Sequence, residues 1–310
     1  MDEPPDSLRF DTGVATILIA DAAASDRFVG AIDALRGRVV ARIGWDVPLP
    51  LTAAPQVVAV DAAGLAPDRL AERLPSVVAW AAEMAASLVV ALTLDQIDVV
   101  AAAVLDGRTA LLVDPTVADC AAALAIAGER ARVPAGVFDV GRESDTARLE
   151  RLNGEVARIA EALARLTRAE SERDLPVPPI VGDRTSGYGP PPAIAGPNAA
   201  QIRRTIRARR MRDQFFGDTL FEDPGWDMLL DLYAAELERV RVSVSSLCIA
   251  AAVAPTTALR WIARMTEAGL FERRPDPHDR RRAFMALTVG ASKAMEGYMI
   301  AITRGDLNIA

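Results

Sequence analysis

Several residue types are scarce in this chain, and each scarcity closes off a class of chemistry. Its 310 residues include 2 cysteines, 1 histidine and a single lysine, Lys293, and only 5% are aromatic. With His278 alone, a multi-histidine metal centre is excluded, and a Ser/His/Asp arrangement is not expected because that histidine stands in an arginine-rich segment. Cys120 and Cys248 lie far apart in alanine-rich helical patterns without metal-ligand spacing, so they read as small buried hydrophobes. Glycine is missing from the stretch ADAAASDRF after the first apolar run, where a Rossmann or P-loop phosphate turn needs it. No run of about 18 uninterrupted apolar residues suggests a membrane span. The acidic start MDEPPDSLRFD has neither the basic nor the apolar region of a signal peptide, which sets cytoplasm as the expected location. No catalytic residue, cofactor or metal is expected.

Half the residues are apolar (51%), and the length suits about two domains with real cores. The net charge of −7 taken alone argues against a polyanionic partner. Its distribution reverses that inference: residues 200–304 carry 17 Arg and Lys against 13 Asp and Glu, which leaves −11 for the remainder. The basic side chains are almost wholly arginine, so phosphate contacts would come as planar forks rather than point charges.

The boundary between the parts is compositional. Residues 171–199 hold seven prolines and four glycines, which cannot sustain a helix or a central strand. This is a linker, and the two domains it joins need not keep a fixed relative orientation. Just before it, within 142–170, Leu149, Leu152, Val156, Ile159, Leu163 and Leu166 recur at heptad a/d spacing. That seam suits a parallel dimer helix and hence a homodimer, although packing onto its own domain would need the same pattern.

In 12–141, short continuous apolar runs alternate with helical patterns. The runs cover 14–20, 39–43, 57–60, 88–92 and 109–113, and the helical patterns fall near 25–36, 67–84, 95–105 and 116–128. Buried parallel strands with right-handed crossovers follow, giving an α/β flavodoxin-like domain.

In 200–304 the segment PTTALRWIARMTEAGLFERRPDPHDRRRAFMALT predicts a helix and then an arginine-tipped ribbon, an α+β winged helix. Thr256, Thr257, Arg260 and Arg264 share a polar stripe, while Ala258, Ile262 and Met265 fall on the core-seeking side. Gly269 is placed to end the helix in a left-handed conformation. Arg280, Arg281 and Arg282 sit at the ribbon tip. An earlier cluster, Arg203, Arg204 and Arg207, offers candidate contacts to a nucleic-acid backbone. The plain alternatives are a solvated hairpin, a solvated helix, and threonines that merely begin a helix behind Pro255.

From about Pro224 to Met295 these residues resemble the MarR type of winged-helix transcription factor. The likeness rests on Leu247, on Thr256, Thr257 and Arg260, and on the phrase from Asp276 to Arg282 leading into Ala286-Leu287-Thr288. It implies double-stranded DNA as partner, and a wing aspartate, Asp279, that orients Arg281 into the minor groove. Asp21, Asp61 and Thr93, at strand ends, resemble a response-regulator receiver. Two departures stand out: Ala22 replaces a second metal-binding acid, and Asp114-Pro115 stands where that family has lysine-proline. Losing an acid and a cation should cripple phosphoryl transfer, so a degenerate receiver is expected, unless these are ordinary strand-end residues. A protein-binding scaffold, and an α/β enzyme or small-ligand sensor, remain the other readings.

Overall fold

The computed structural model describes residues 13–21, 26–50, 54–132, 198–216, 221–279 and 281–304. The heptad segment and nearly all of the linker lie outside the described residues.

Short apolar runs become strands β1 (Ala15–Ile19), β2 (Arg38–Ile43), β3 (Val57–Asp61), β4 (Ser87–Leu92) and β5 (Ala110–Val113). All pair in parallel, in the order β2-β1-β3-β4-β5. The central strand β3 is buried along its whole length, as expected of a strand covered on both faces. Helices α1 (Asp26–Ala34) and α4 (Val117–Arg132) cover one face through Phe28, Ile32, Cys120 and Leu124. Helices α2 (Pro67–Glu83) and α3 (Ile97–Ala103) cover the other through Leu70, Leu74, Val77, Ile97 and Val100. This half is an α/β layer structure.

The second half begins with α5 (Ala199–Met211), capped by the Asn198 side chain on Ala200 N, and the short α6 (Asp213–Phe216). Helix α7 (Pro224–Glu238) starts at the Asp223 cap with proline at its first position and ends at Arg239 in a left-handed conformation (φ 58°). Helices α8 (Val244–Ala250) and α9 (Pro255–Glu267) form a helix-turn-helix with a 107° bend between them. Gly269 adopts φ 71°, and the Leu270 and Gly269 amides reach back to the Met265 and Thr266 carbonyls, closing the helix end. The chain then runs into β7 (Phe271–Pro275) and β8 (Ala283–Leu287), an antiparallel ribbon extended by β6 (Val242–Ser243), and into α10 (Val289–Arg304). Ile262, Met265, Phe271, Met285 and Leu287 close this core.

The two halves are not independent. The described residues up to Arg132 and from Asn198 onward belong to one compact unit, and the apolar core under α2 and α3 continues without a break into the winged helix. Composition of the linker speaks only of the covalent connection and not of the surfaces it lets meet. Helix α9 lies against β5, and α3 against α8 and β8. Among the described residues no single helix is long and apolar enough to cross a membrane.

A shared core predicts shared unfolding. Tryptophan fluorescence samples Trp45 and Trp80 in one half and Trp226 and Trp261 in the other. Its urea transition should superimpose on that of far-ultraviolet circular dichroism; two resolved transitions would contradict the continuous core.

Candidate nucleic-acid interface

The ribbon tip is organised by one carboxylate. Asp279 accepts the Arg281 amide (3.0 Å), its Nε (3.0 Å) and its Nη2 (3.2 Å), and lies 3.8 Å from Arg282 Nε. The Arg281 guanidinium holds the Asp279 carboxyl below the ordinary carboxylate range, since every one of these bonds favours the ionised form. The turn is closed by the Asp276 amide on Arg282 O (3.1 Å) and the Arg282 amide on Asp279 O (3.0 Å). Arg281 and Arg282 are exposed, and Arg280 lies outside the described residues. His278 is exposed, its amide donating to Asp276.

On α9, Arg260 and Arg264 are exposed, and Arg264 lies over the Trp261 ring at 5.1 Å. Thr256 and Thr257 are only half-exposed, for a reason the sequence did not disclose. The Val113 amide, on the outer edge of β5, donates to Thr256 Oγ1 (2.9 Å). Further contacts of this kind join the two halves. Asp98 on α3 accepts the Ser245 amide (2.9 Å) and hydroxyl (2.7 Å), Arg273 Nη1 donates to Ala101 O (2.7 Å) and Ala102 O (2.9 Å), and Arg281 Nη1 donates to Asp68 on α2 (2.6 Å). Sequence reasoning missed Asp68, Asp98, Ser245 and Arg273. The one available signal was Leu259 and Ala263, apolar side chains outside the core-facing stripe of α9, both of them buried.

The arginines of α5 divide. Arg203 is ion-paired to Asp231 and to Glu238 (2.9 Å) on α7, and Arg209 to Asp227 (2.8 Å), so these two clamp α5 onto α7. Arg204 and Arg207 are exposed.

At the C-terminal ends of the parallel strands stand Asp21, Asp61, Thr93 and Asp114. Only Asp61 is buried. Its Oδ1 accepts the Ala63 amide (3.1 Å), and its Oδ2 lies 2.9 Å from Arg27 Nε without hydrogen-bond alignment. The cation beside this carboxylate is therefore an arginine from α1, a residue sequence reasoning passed over. Asp21 is exposed, the Thr93 hydroxyl donates to Asp95 (2.6 Å), and Asp114 takes a left-handed backbone (φ 46°). Among the described residues no group of three acids, histidines or cysteines could hold a metal ion. Burial pushes the Cys120 thiol up to about 11 and the Cys248 thiol up to about 12, which leaves both protonated and unreactive.

Residues 236–291 match the family of winged helix DNA-binding domains. Similar solved structures include Staphylococcus aureus MepR in a DNA-binding conformation (20% identity over 34% of this chain and 74% of that one, TM-score 0.24). Two more are the multiple antibiotic resistance repressor MarR and the Thermotoga maritima transcriptional regulator Tm0710, each at 19% identity over 34% of this chain and 70% of theirs, TM-score 0.23. Comparison with curated proteins finds no match.

Burial raises the Asp61 carboxyl above the ordinary value, and Arg27 partly opposes that rise. Stability tied to Asp61 is thus full below the usual carboxylate range and falls as pH climbs through its raised value. Arg27→Ala removes the opposing cation and should cost about 3 kcal/mol at neutral pH, shrinking toward acid as Asp61 takes a proton. Urea titrations across pH measure this, and a loss that grew in acid would contradict it.

Proposed function

We propose that this chain is a sequence-specific, DNA-binding transcriptional regulator of MarR type that works as a cytoplasmic homodimer. The observation that carries the reading is the arginine-tipped ribbon, its Arg281 pinned by Asp279, behind a helix-turn-helix in the segment that matches the DNA-binding family. Helix α9 would read base edges in the major groove through Thr256, Thr257 and Arg260, with Arg264 on the backbone. The wing would enter the minor groove through Arg281, flanked by Arg280 and Arg282 on phosphates, since a planar, permanently charged guanidinium suits a narrow groove's negative potential. Arg204 and Arg207 are free of the α7 clamp and suit further backbone contacts.

The N-terminal half is, in this reading, a flavodoxin-like pseudo-receiver that serves sensing or dimerisation and performs no catalysis. Its strand order, 2-1-3-4-5, is that of flavodoxin-like sheets. Arg27 supplies a cation beside Asp61 that Asp114-Pro115 does not, so the loss of phosphoryl acceptance rests on Ala22 in place of a second metal-binding acid. Incubation with a small phosphodonor and magnesium should therefore leave the intact mass unchanged; a magnesium-dependent gain of one phosphoryl group, abolished by Asp61→Ala, would refute this part.

Binding to a random-sequence duplex pool should weaken steeply with salt. Arg281→Ala should weaken it further and lower the salt slope by about 1, whereas Arg260→Ala should cost about 1–3 kcal/mol and relax sequence preference. Selected sites should show two half-sites about one helical turn apart. A chain that holds only protein through its winged helix would show no salt-sensitive retention at all.

A further inference from the structure

Part of the face of α9 that a major groove would receive is already occupied, while Arg260 and Arg264 stay exposed beside it. At 100° per residue, Thr256, Ala263 and Glu267 fall within about 40° of one another, on the side opposite Ala258 and Met265, which face the winged-helix core. That outer side is the one laid along β5. At one end the Val113 amide donates to Thr256. At the other, Gly107, just before β5, lies so close to the Glu267 carboxylate that a side chain there would collide with it. Between them Ala263 is 6% exposed and its neighbour Leu259 is 2% exposed.

The other DNA-facing elements are held in the same way. Serine hydroxyls, backbone amides and arginines are the groups that ordinarily take phosphate oxygens. Here Ser245 gives its amide and hydroxyl to the Asp98 carboxylate, Arg281 on the wing is paired with the Asp68 carboxylate, and Arg273 on the ribbon takes two carbonyls at the end of α3. Acceptors of the N-terminal half thus stand where an acidic backbone would stand.

We infer that the N-terminal half masks the DNA-reading surface, with α3, β5 and Asp68 acting as an intramolecular substitute for duplex DNA, so that binding requires α9 and the wing to leave them. This rests on the DNA-binding reading above and adds a closed resting state to it. The apparent affinity of such a protein is its intrinsic affinity scaled by the fraction that is open, so loosening the mask must tighten binding.

The test uses the full chain and the random-sequence duplex pool. Asp68→Ala/Asp98→Ala removes the two carboxylates at positions outside both cores and should bind at least about tenfold tighter than wild type. In wild type, hydrogen exchange at the Val113 and Ser245 amides should quicken when duplex is added, because each loses its partner across the mask. Equal affinity of the two proteins, or amides that keep their protection in the DNA complex, would overturn the inference while leaving DNA binding intact. Failure of both proteins to bind duplex in a salt-sensitive way would instead overturn the DNA-binding reading, and this inference with it.

Discussion

A parallel sheet must end somewhere, and here it ends on β5, whose outward backbone groups meet no further strand among the described residues. Helix α9 lies along that margin, and the Thr256 hydroxyl accepts the Val113 amide. Unpaired strand edges invite unwanted pairing, so a helix laid over one is a common solution. What distinguishes this case is which helix does it: the second helix of the helix-turn-helix, turned so that its outer side faces the strand. The apolar core continues through this junction, and Asp98 and Arg273 fix its alignment on either side of α3. Each half-buried bond of this kind contributes about 1 kcal/mol net, so burial of Leu259, Ala263 and their neighbours supplies the adhesion while the polar contacts set the register.

Arginine carries nearly all the positive charge, and its planar fork is used in several distinct ways. Arg203 divides itself between two carboxylates to fasten α5 to α7, Arg27 neutralises a buried acid, Arg273 ends a helix by taking its carbonyls, and Arg281 is shaped by Asp279. A guanidinium stays charged at every accessible pH, so none of these contacts is switched by titrating the cation. Among the described residues Asp61 and Asp227 are the buried acids, and burial raises Asp61 above its ordinary value.

Local elements were legible in the sequence because their causes are local. Continuous apolar runs marked the five strands within one or two residues, Gly269 marked the end of α9, and DPHDRRR marked a turn between two short extended runs. Contacts between residues far apart in the chain leave no such period. Val113 and Thr256 are separated by 143 positions, and Asp68 and Arg281 by 213. Arg203 looked like a member of a basic patch because its partners Asp231 and Glu238 lie a helix away. Arg27 carried no signal, since one arginine in the first turn of an amphipathic helix is unexceptional until the fold brings it to Asp61. The proline-rich connection suggested loose tethering, whereas complementary surfaces hold the halves together regardless of what joins them covalently.

The covered margin of β5 has a consequence for handling and for life in a crowded cell. If α9 were to swing away, the Val113 amide and its neighbours on the outermost strand would be bared as an adhesive rim, able to recruit an extended segment from any passing chain. Engagement of nucleic acid and the tendency to self-associate would then rise together, and concentration would act on both.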